Sequence, residues 1–208
     1  MEDGVKASVS ICIPILGREA SLQRCLKAIE DNTKDWPHEV VIEQDVFGPG
    51  RRGCPRTLAA AVERARFSYI CFLGNDTIPQ PGWLRIAMEC MPSFPGEVGI
   101  IGFRDQVWAD GRCLHFVAAK RMLDLLDGFF LNPCYSHVGS DDEMIARARQ
   151  MGRYLWCPDA IVLHDHFASG AEFDEVYKLA WEPAAVERDR ATLKERAERM
   201  GFAPWLPK

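Results

Sequence analysis

YICFLGNDTIPQPGW, residues Tyr69 to Trp83, runs an apolar stretch straight into Gly74-Asn75-Asp76-Thr77. A buried strand that empties onto a short polar turn holds an amide and a carboxylate at its carboxyl end, where open α/β sheets place their ligands. Gly, Asn and Asp are also ordinary turn residues, and Pro79 and Pro81 punctuate the residues just beyond them. The stretch alone does not separate a site from a turn, so the surrounding pattern has to.

Upstream, Ser8 to Pro14 is a β-branched apolar run, and Ser21 is expected to cap a helix with Leu22, Cys25, Leu26 and Ile29 at helical spacing. Val40 to Ile42 restarts as strand, a Gly/Pro-rich loop fills Gly48 to Gly53, and Pro55 opens a helix with Leu58, Ala61, Val62 and Ala65 on one face. With Tyr69 to Leu73 as the third strand, this is a right-handed parallel βαβαβ unit. Downstream, a helix through Leu84, Ala87, Met88 and Met91 leads to a strand at Val98 to Phe103. Val107-Trp108 and Cys113 to Val117 then flank Ala109-Asp110-Gly111, which reads as a hairpin. Helices are expected near Lys120 to Leu126 and from Ser140 to Gly152, with a last strand at Ile161 to Phe167. The tail from Glu172 to Met200 spaces Val186, Leu193, Ala197 and Met200 as one or two helices against the body. The order is that of an α/β protein, with a parallel half followed by a mixed, partly antiparallel half.

The 208 residues fit one domain, with 48% hydrophobic content for its core. A net charge of −5 argues against a surface that grips nucleic acid all over, because that affinity is built from Lys and Arg on phosphates. A local basic site remains at Arg51, Arg52 and Arg56. No run approaches the roughly 20 apolar residues that span a bilayer, and the start Met-Glu-Asp-Gly is acidic, so no membrane insertion and a cytoplasmic location are expected. The eight cysteines form no C-x-x-C pair and suit reduced, mostly buried thiols.

Three further patterns carry candidate chemistry. Gly48-Pro49-Gly50-Arg51-Arg52-Gly53 matches G-x-G-x-x-G, which would make the chain a nicotinamide- or flavin-dependent oxidoreductase. Against this, Pro55 marks a helix start after the last glycine, and the motif follows the second strand instead of the first. Ser140-Asp141-Asp142-Glu143 reads as a capping box, yet a carboxylate at a helix N-terminus can also serve as a base. His164 and His166 lie two apart on a strand, so both imidazoles share a face and could join a carboxylate in holding Mn²⁺ or Mg²⁺.

Together and in order, these segments resemble the inverting glycosyltransferases of the GT-A fold, in particular the large family two, over about residues 8 to 167. SVSICIPILGR is similar to that family's opening strand and turn, and HEVVIEQD to its second strand ending in an acid. PRTLAAAVERARFSYICFLGNDTIPQPGWL resembles the segment ending in the aspartate-rich metal motif. LLDGFF with GSDDEM resembles the approach to the acidic pair, and CPDAIVLHDH the strand that returns with a histidine.

The resemblance implies a GT-A α/β fold: a Rossmann-like nucleotide-binding half with a mostly parallel central sheet, then a mixed acceptor-side half. As one domain over 1–208, it divides into a nucleotide-sugar half (1–100), an acceptor and catalytic half (101–170) and a helical extension (171–208). It further implies that Asp76, with His164 or His166, holds a Mn²⁺ or Mg²⁺ ion on the donor diphosphate. Pro14, Arg18, Asp45, Arg56 and Asn75 would contact a nucleotide-diphosphate sugar, and Asp141 beside Asp142 would supply the general base. The departures are Gly74 where the motif's first acid is expected, Gln44 at the second strand's end, Thr57, and Ser140 in place of the usual Glu. The implied activity is sugar transfer to a hydroxyl acceptor. Compact size adds a likeness to small phage-type transferases, with a hydroxymethylated DNA base as acceptor, Arg51, Arg52, Lys120 and Arg121 on phosphates, and the host cytoplasm as location. A module that binds nucleotide without turnover is the non-catalytic alternative.

Overall fold

The computed structural model describes residues 6–108 and 111–206. Its frame is a seven-stranded sheet in the order β2-β1-β3-β6-β5-β7-β4. The strands are β1 (Val9–Ile15), β2 (His38–Gln44), β3 (Tyr69–Phe72), β4 (Thr77–Pro79), β5 (Ile100–Arg104), β6 (Phe116–Ala119) and β7 (Tyr154–His164). β1 is buried along its whole length and pairs in parallel with β2 (Ile11↔Val40) and β3 (Ile11↔Cys71). Continuous apolar runs are what strands covered on both faces require. β1, β2, β3, β5 and β7 point one way, whereas β6 and β4 oppose them.

Helices α1 (Glu19–Asn32), α2 (Cys54–Arg64) and α3 (Trp83–Cys90) cover the parallel half. Their inward residues match the expected spacing: Leu22, Cys25 and Ile29, then Leu58, Ala61 and Val62, then Leu84, Ala87 and Met88. After the sheet come α4 (Ser140–Gln150), α5 (Glu175–Ala180) and α6 (Pro183–Met200). The thiols are all free, with Cys134 the exposed one. Among the described residues no helix is long and apolar enough to cross a membrane.

Several expectations are corrected. α1 starts at Glu19, and its N-cap is Arg18 in the left-handed region (φ 57°), so Ser21 sits inside the first turn and caps nothing. The hairpin is formed by β5 and β6, pairing Ile100 with Ala118, and its arms are not Val107-Trp108 and Cys113-Val117. Asp105 ends β5, its Oδ1 accepting the N–H groups of Val107 and Trp108; Ala109 and Asp110 of the expected turn lie outside the described residues. The segment Lys120–Leu125 is a 3₁₀ turn in place of an α-helix. β7 begins at Tyr154, well before Ile161, and its register against β5 shifts between Phe103 and Arg104, opposite Pro158, whose missing N–H favours such a bulge. Ser140 is the first helical residue of α4 behind an N-cap at Gly139 (φ 84°), so no capping box forms there.

Candidate active site

The turn after β3 leads into a short strand. Thr77–Pro79 leaves it as β4, antiparallel to β7 with Thr77 opposite His164, and Asp165 donates its N–H to the Asp76 carbonyl at 2.9 Å. Strand pairing therefore seats Asp76 beside His164, with 3.3 Å between Asp76 Oδ1 and His164 Nε2. The other oxygen, Oδ2, accepts Arg18 Nη1 at 2.7 Å and the Tyr177 hydroxyl at 3.3 Å. Arg18 also forks onto Asp174 with 2.7 and 2.6 Å bonds and lies 3.9 Å over the Tyr177 ring. Its left-handed backbone is costly for a residue with a Cβ and places the guanidinium on Asp76. Burial works against an ionised Asp76, but His164, His115 and Arg18 outweigh it and hold the carboxyl well below its usual range.

Gly74 has a steric reason. A Cβ there would stand 2.7 Å from Asp76 Oδ1 and 3.1 Å from His115 Nε2. His115 thus occupies the space that the acid of a D-x-D motif would need. Asn75 donates to the Gly17 carbonyl at 2.9 Å, tying the turn after β3 to the turn after β1.

Asp45, at the end of β2, is turned on its own loop. Its oxygens accept the N–H groups of Val46, Arg52 and Gly53 at 2.8–2.9 Å. Burial raises and those three amides lower its carboxyl, and the amides win. Two amides of the GPGRRG loop, those of Arg52 and Gly53, are committed to Asp45, that of Arg51 is given to the Gly48 carbonyl, and Gly53 precedes α2 as its N-cap. The dinucleotide reading loses its physical basis there. Arg56 is exposed, bonded to the Arg52 carbonyl, and stands outside the cavity, where Arg51 takes its place. Arg52 is held by Glu43 and the Gln44 carbonyl.

Asp141 and Asp142 stand at the start of α4. Burial and the neighbouring Asp142 push the Asp141 carboxyl up to about 7, against the pull of nearby backbone amides and Arg112. Glu143 points elsewhere: it accepts the Tyr135 hydroxyl and two bonds from Arg196, and is 2% exposed. The approach to α4 is stitched by Asp189 of α6, whose carboxylate accepts the N–H groups of Ser136, His137 and Val138.

These parts line one cavity of about 550 Å³ that includes Pro14, Arg18, Asp45, Asn75, Asp76, Asp141, Asp142, His164 and His166. Sequence reasoning missed several of its residues: Tyr177, whose helix α5 closes over Asp76, the aromatic walls Trp108 and Trp181, and the cations Arg112 and Arg190. His166 lies just past the end of β7, its ring centroid 5.0 Å from that of His164, and its Nδ1 accepts the Ala168 N–H. Burial first, then His164, drive its pKa down to about 4, so the ring is neutral at pH 7; with the Nδ1 lone pair on the Ala168 N–H, its Nε2 carries the proton, and the ring becomes a ligand only by giving up that bond. Asp76 and His164 therefore fit a shared divalent ion, whose ligand atoms sit about 3 Å apart at metal–ligand bonds of about 2.1 Å, and His166 is a candidate third. Among the described residues, the trio whose ligand atoms all fall within 4.8 Å of one another is instead Asp105, His115 and His164. His115 and Asp105 also escaped the sequence reading, although a histidine within CLHFV and an acid directly after IIGFR were visible signals.

No protein-family model matches the chain, and no curated protein matches it. Solved structures do. A mannosyltransferase from Pyrobaculum calidifontis, in complex with GDP-Man and Mn²⁺, aligns at TM-score 0.61 and 16% identity over 93% of this chain and 76% of that one. S. aureus TarS with UDP-GlcNAc aligns at 0.61 and 12% over 83% of this chain, which spans 64% of that structure. Glucosyl-3-phosphoglycerate synthase from Mycobacterium tuberculosis, with Mn²⁺, UDP and glucosyl-3-phosphoglycerate, aligns at 0.62 and 12% over 88% and 80%. At these identities the likeness speaks for architecture, and together with the sheet order it establishes that the chain has the GT-A fold.

Proposed function

We propose that the chain is a metal-dependent, inverting glycosyltransferase that moves a sugar from a nucleotide-diphosphate sugar to a hydroxyl acceptor. The observation that carries this reading is the pairing, within one cavity, of an ionised Asp76 set against His164 with a second carboxyl, Asp141, held near neutrality. Structural neighbours solved with nucleotide sugars and Mn²⁺ support it.

Asp76 and His164, with His166 near them, would hold the Mn²⁺ or Mg²⁺. That ion, when bound, supplies positive charge for the leaving diphosphate. Pro14, Arg18 and Asn75 shape the donor side, and Asp45 serves by holding the 46–53 loop in place. On the acceptor side the hydroxyl oxygen attacks the anomeric carbon, its proton passes to Asp141, and the bond from that carbon to the diphosphate oxygen breaks with both electrons leaving on oxygen. A carboxyl with a pKa near 7 suits this proton transfer, because it is basic enough to take the proton and still partly ionised at neutral pH. One displacement inverts the anomeric centre. For a hydroxymethylated DNA base as acceptor, Arg51 speaks in favour by lining the cavity, while Lys120 is spent on the Ala65 carbonyl and Arg52 on Glu43.

The test is product stereochemistry. With an α-linked donor, Mn²⁺ and acceptor, NMR of the product is expected to show a β-linkage; a retained α-linkage, or donor turnover unchanged in Asp141→Asn, removes Asp141 as the base. Nucleotide binding without any turnover would leave the non-catalytic module.

A further inference from the structure

A second cluster sits at one end of three adjacent strands. Asp105 follows the last residue of β5, His115 precedes the first residue of β6, and His164 ends β7, with β5 between β6 and β7 in the sheet. The three residues are 6%, 4% and 7% exposed. Among the described residues, Nδ1 of His115 and Nδ1 of His164 are both buried and have no hydrogen-bond partner, an arrangement that costs free energy unless something fills it. The His164 Nδ1 faces Asp105 Oδ2 at 4.0 Å, and the two imidazoles meet edge to face with centroids 4.7 Å apart.

His164 stands between two carboxylates, with Asp76 Oδ1 on its Nε2 side and Asp105 Oδ2 on its Nδ1 side. A neutral imidazole has one N–H and one lone pair. When His164 is neutral, whichever nitrogen carries the proton, the other turns its lone pair toward a carboxylate, and a cation on that side converts the repulsion into ligation. When Nε2–H is given to Asp76, the lone pair lies on Nδ1, toward Asp105 and next to His115.

We propose that Asp105, His115 and His164 form a second cation site, distinct from the one on Asp76, that takes a first-row transition-metal dication of the zinc kind. Two imidazoles and one carboxylate favour such an ion over the Mg²⁺ or Mn²⁺ that a diphosphate prefers. Ligand atoms within 4.8 Å of one another need to close by at most about 1.5 Å to reach tetrahedral spacing around bonds of about 2.0–2.1 Å. A neutral His164 serves one ion at a time: with Nδ1 on this ion its Nε2–H faces Asp76, and its Nε2 joins an ion on Asp76 only when this site is empty. The site depends on no nucleotide and stands whether or not the chain transfers sugar.

The experiment is a titration of the full chain, stripped with EDTA, with Zn²⁺ in the absence of nucleotide, followed by calorimetry and repeated with Co²⁺ for its visible absorption. Wild type is expected to bind one equivalent, and Asp76→Asn, which alters only the acceptor of the His164 N–H, to lose less than His115→Gln or Asp105→Asn does. His115→Gln and Asp105→Asn should each lose at least tenfold, since even outer partners of a ligand give about that loss. No binding by wild type overturns the proposal, as does loss in Asp76→Asn with none in His115→Gln. Circular dichroism of the metal-free variants checks that they fold. Zinc-edge anomalous scattering from wild-type crystals decides without any variant: a peak bounded by Asp105 and His115 supports the site, and a peak on Asp76 alone, or none, removes it.

Discussion

At Asp141 the carboxyl is held up to about 7 by burial and by Asp142, so between about pH 4 and 7 the folded chain keeps a proton that the unfolded chain has lost. Stability then falls as pH rises through that window, the reverse of what a salt-bridged carboxylate does. Asp141→Asn removes the charge and its cost, and is expected to raise Tm at pH 7.5 by a few degrees, at about 2–4 °C per kcal/mol for a chain of this size, while lowering transfer about 10²–10⁴-fold. Scanning calorimetry at pH 5 and 7.5 checks the first half, because the gain should shrink at pH 5. The same ionisation should give kcat/KM of wild type an acidic limb near pH 7, read from a pH profile. Gly74 supplies a second residue-level test. Restoring an acid in Gly74→Asp would bring its Cβ against Asp76 Oδ1 and His115 Nε2, so Mn²⁺ affinity measured by calorimetry is expected to fall instead of rise. The sequence showed that an acid was missing at position 74 but not what replaced it, because His115 lies far along the chain and only the β3–β6 pairing, with Phe72 opposite Phe116, brings it there. Arg56 failed for the related reason that a helix-start arginine can point either way, and the exposed side won.

Elements that carry no catalytic group nevertheless set the position of those that do. α6 contributes Asp189, a 3% exposed carboxylate that accepts three consecutive backbone N–H groups from residues 136–138, just before Asp141. Hydrogen bonds to charged groups contribute about 1.5–3 kcal/mol each, and buried donors left without an acceptor add their own cost. Asp189→Ala is therefore expected to lose about 3 kcal/mol by urea unfolding and to lower turnover without changing Mn²⁺ affinity, since Asp76 and His164 lie on other elements. If turnover survives while stability drops, α6 is a brace for the fold and not for the site. The helices of the parallel half were readable because each buries one stripe at helical spacing. β4 and the early half of β7 were not, because a three-residue strand inside a Gly/Asn/Asp/Pro turn has too little periodicity to register, and Pro158 interrupts β7 where the bulge forms. The capping box before Asp141 was likewise plausible chemistry that lost to a left-handed Gly139 one position earlier.

Taken as a whole, the molecule carries a formal charge of −5 and spends many of its cations internally. Arg24 pairs with Asp165, Arg52 and Arg64 with Glu43, Arg66 with Glu39, and Arg85 with Asp35 and Glu89. Exposed pairs of this kind add little stability, but each holds a guanidinium that a phosphate would otherwise recruit. Of the residues proposed for a DNA acceptor, Arg51 stays at the cavity while Arg52 and Lys120 are engaged at home. Binding to duplex DNA that neutralises Z phosphates falls with a slope of about −0.9Z in log salt, so six contacts would cost roughly 10³-fold between 50 and 200 mM. A small hydroxyl acceptor bound within the cavity has no such slope. The expected outcome is that kcat/KM for the acceptor changes by less than about threefold over that range, about what a single phosphate contact would give; contacts from Arg51, Arg112 and Arg190, which all line the cavity, would give roughly 40-fold. Measured at fixed Mn²⁺ and saturating donor, a steep decline would instead mean that the paired arginines exchange their carboxylates for phosphates when DNA arrives, and the hydroxymethylated base would become the acceptor of choice.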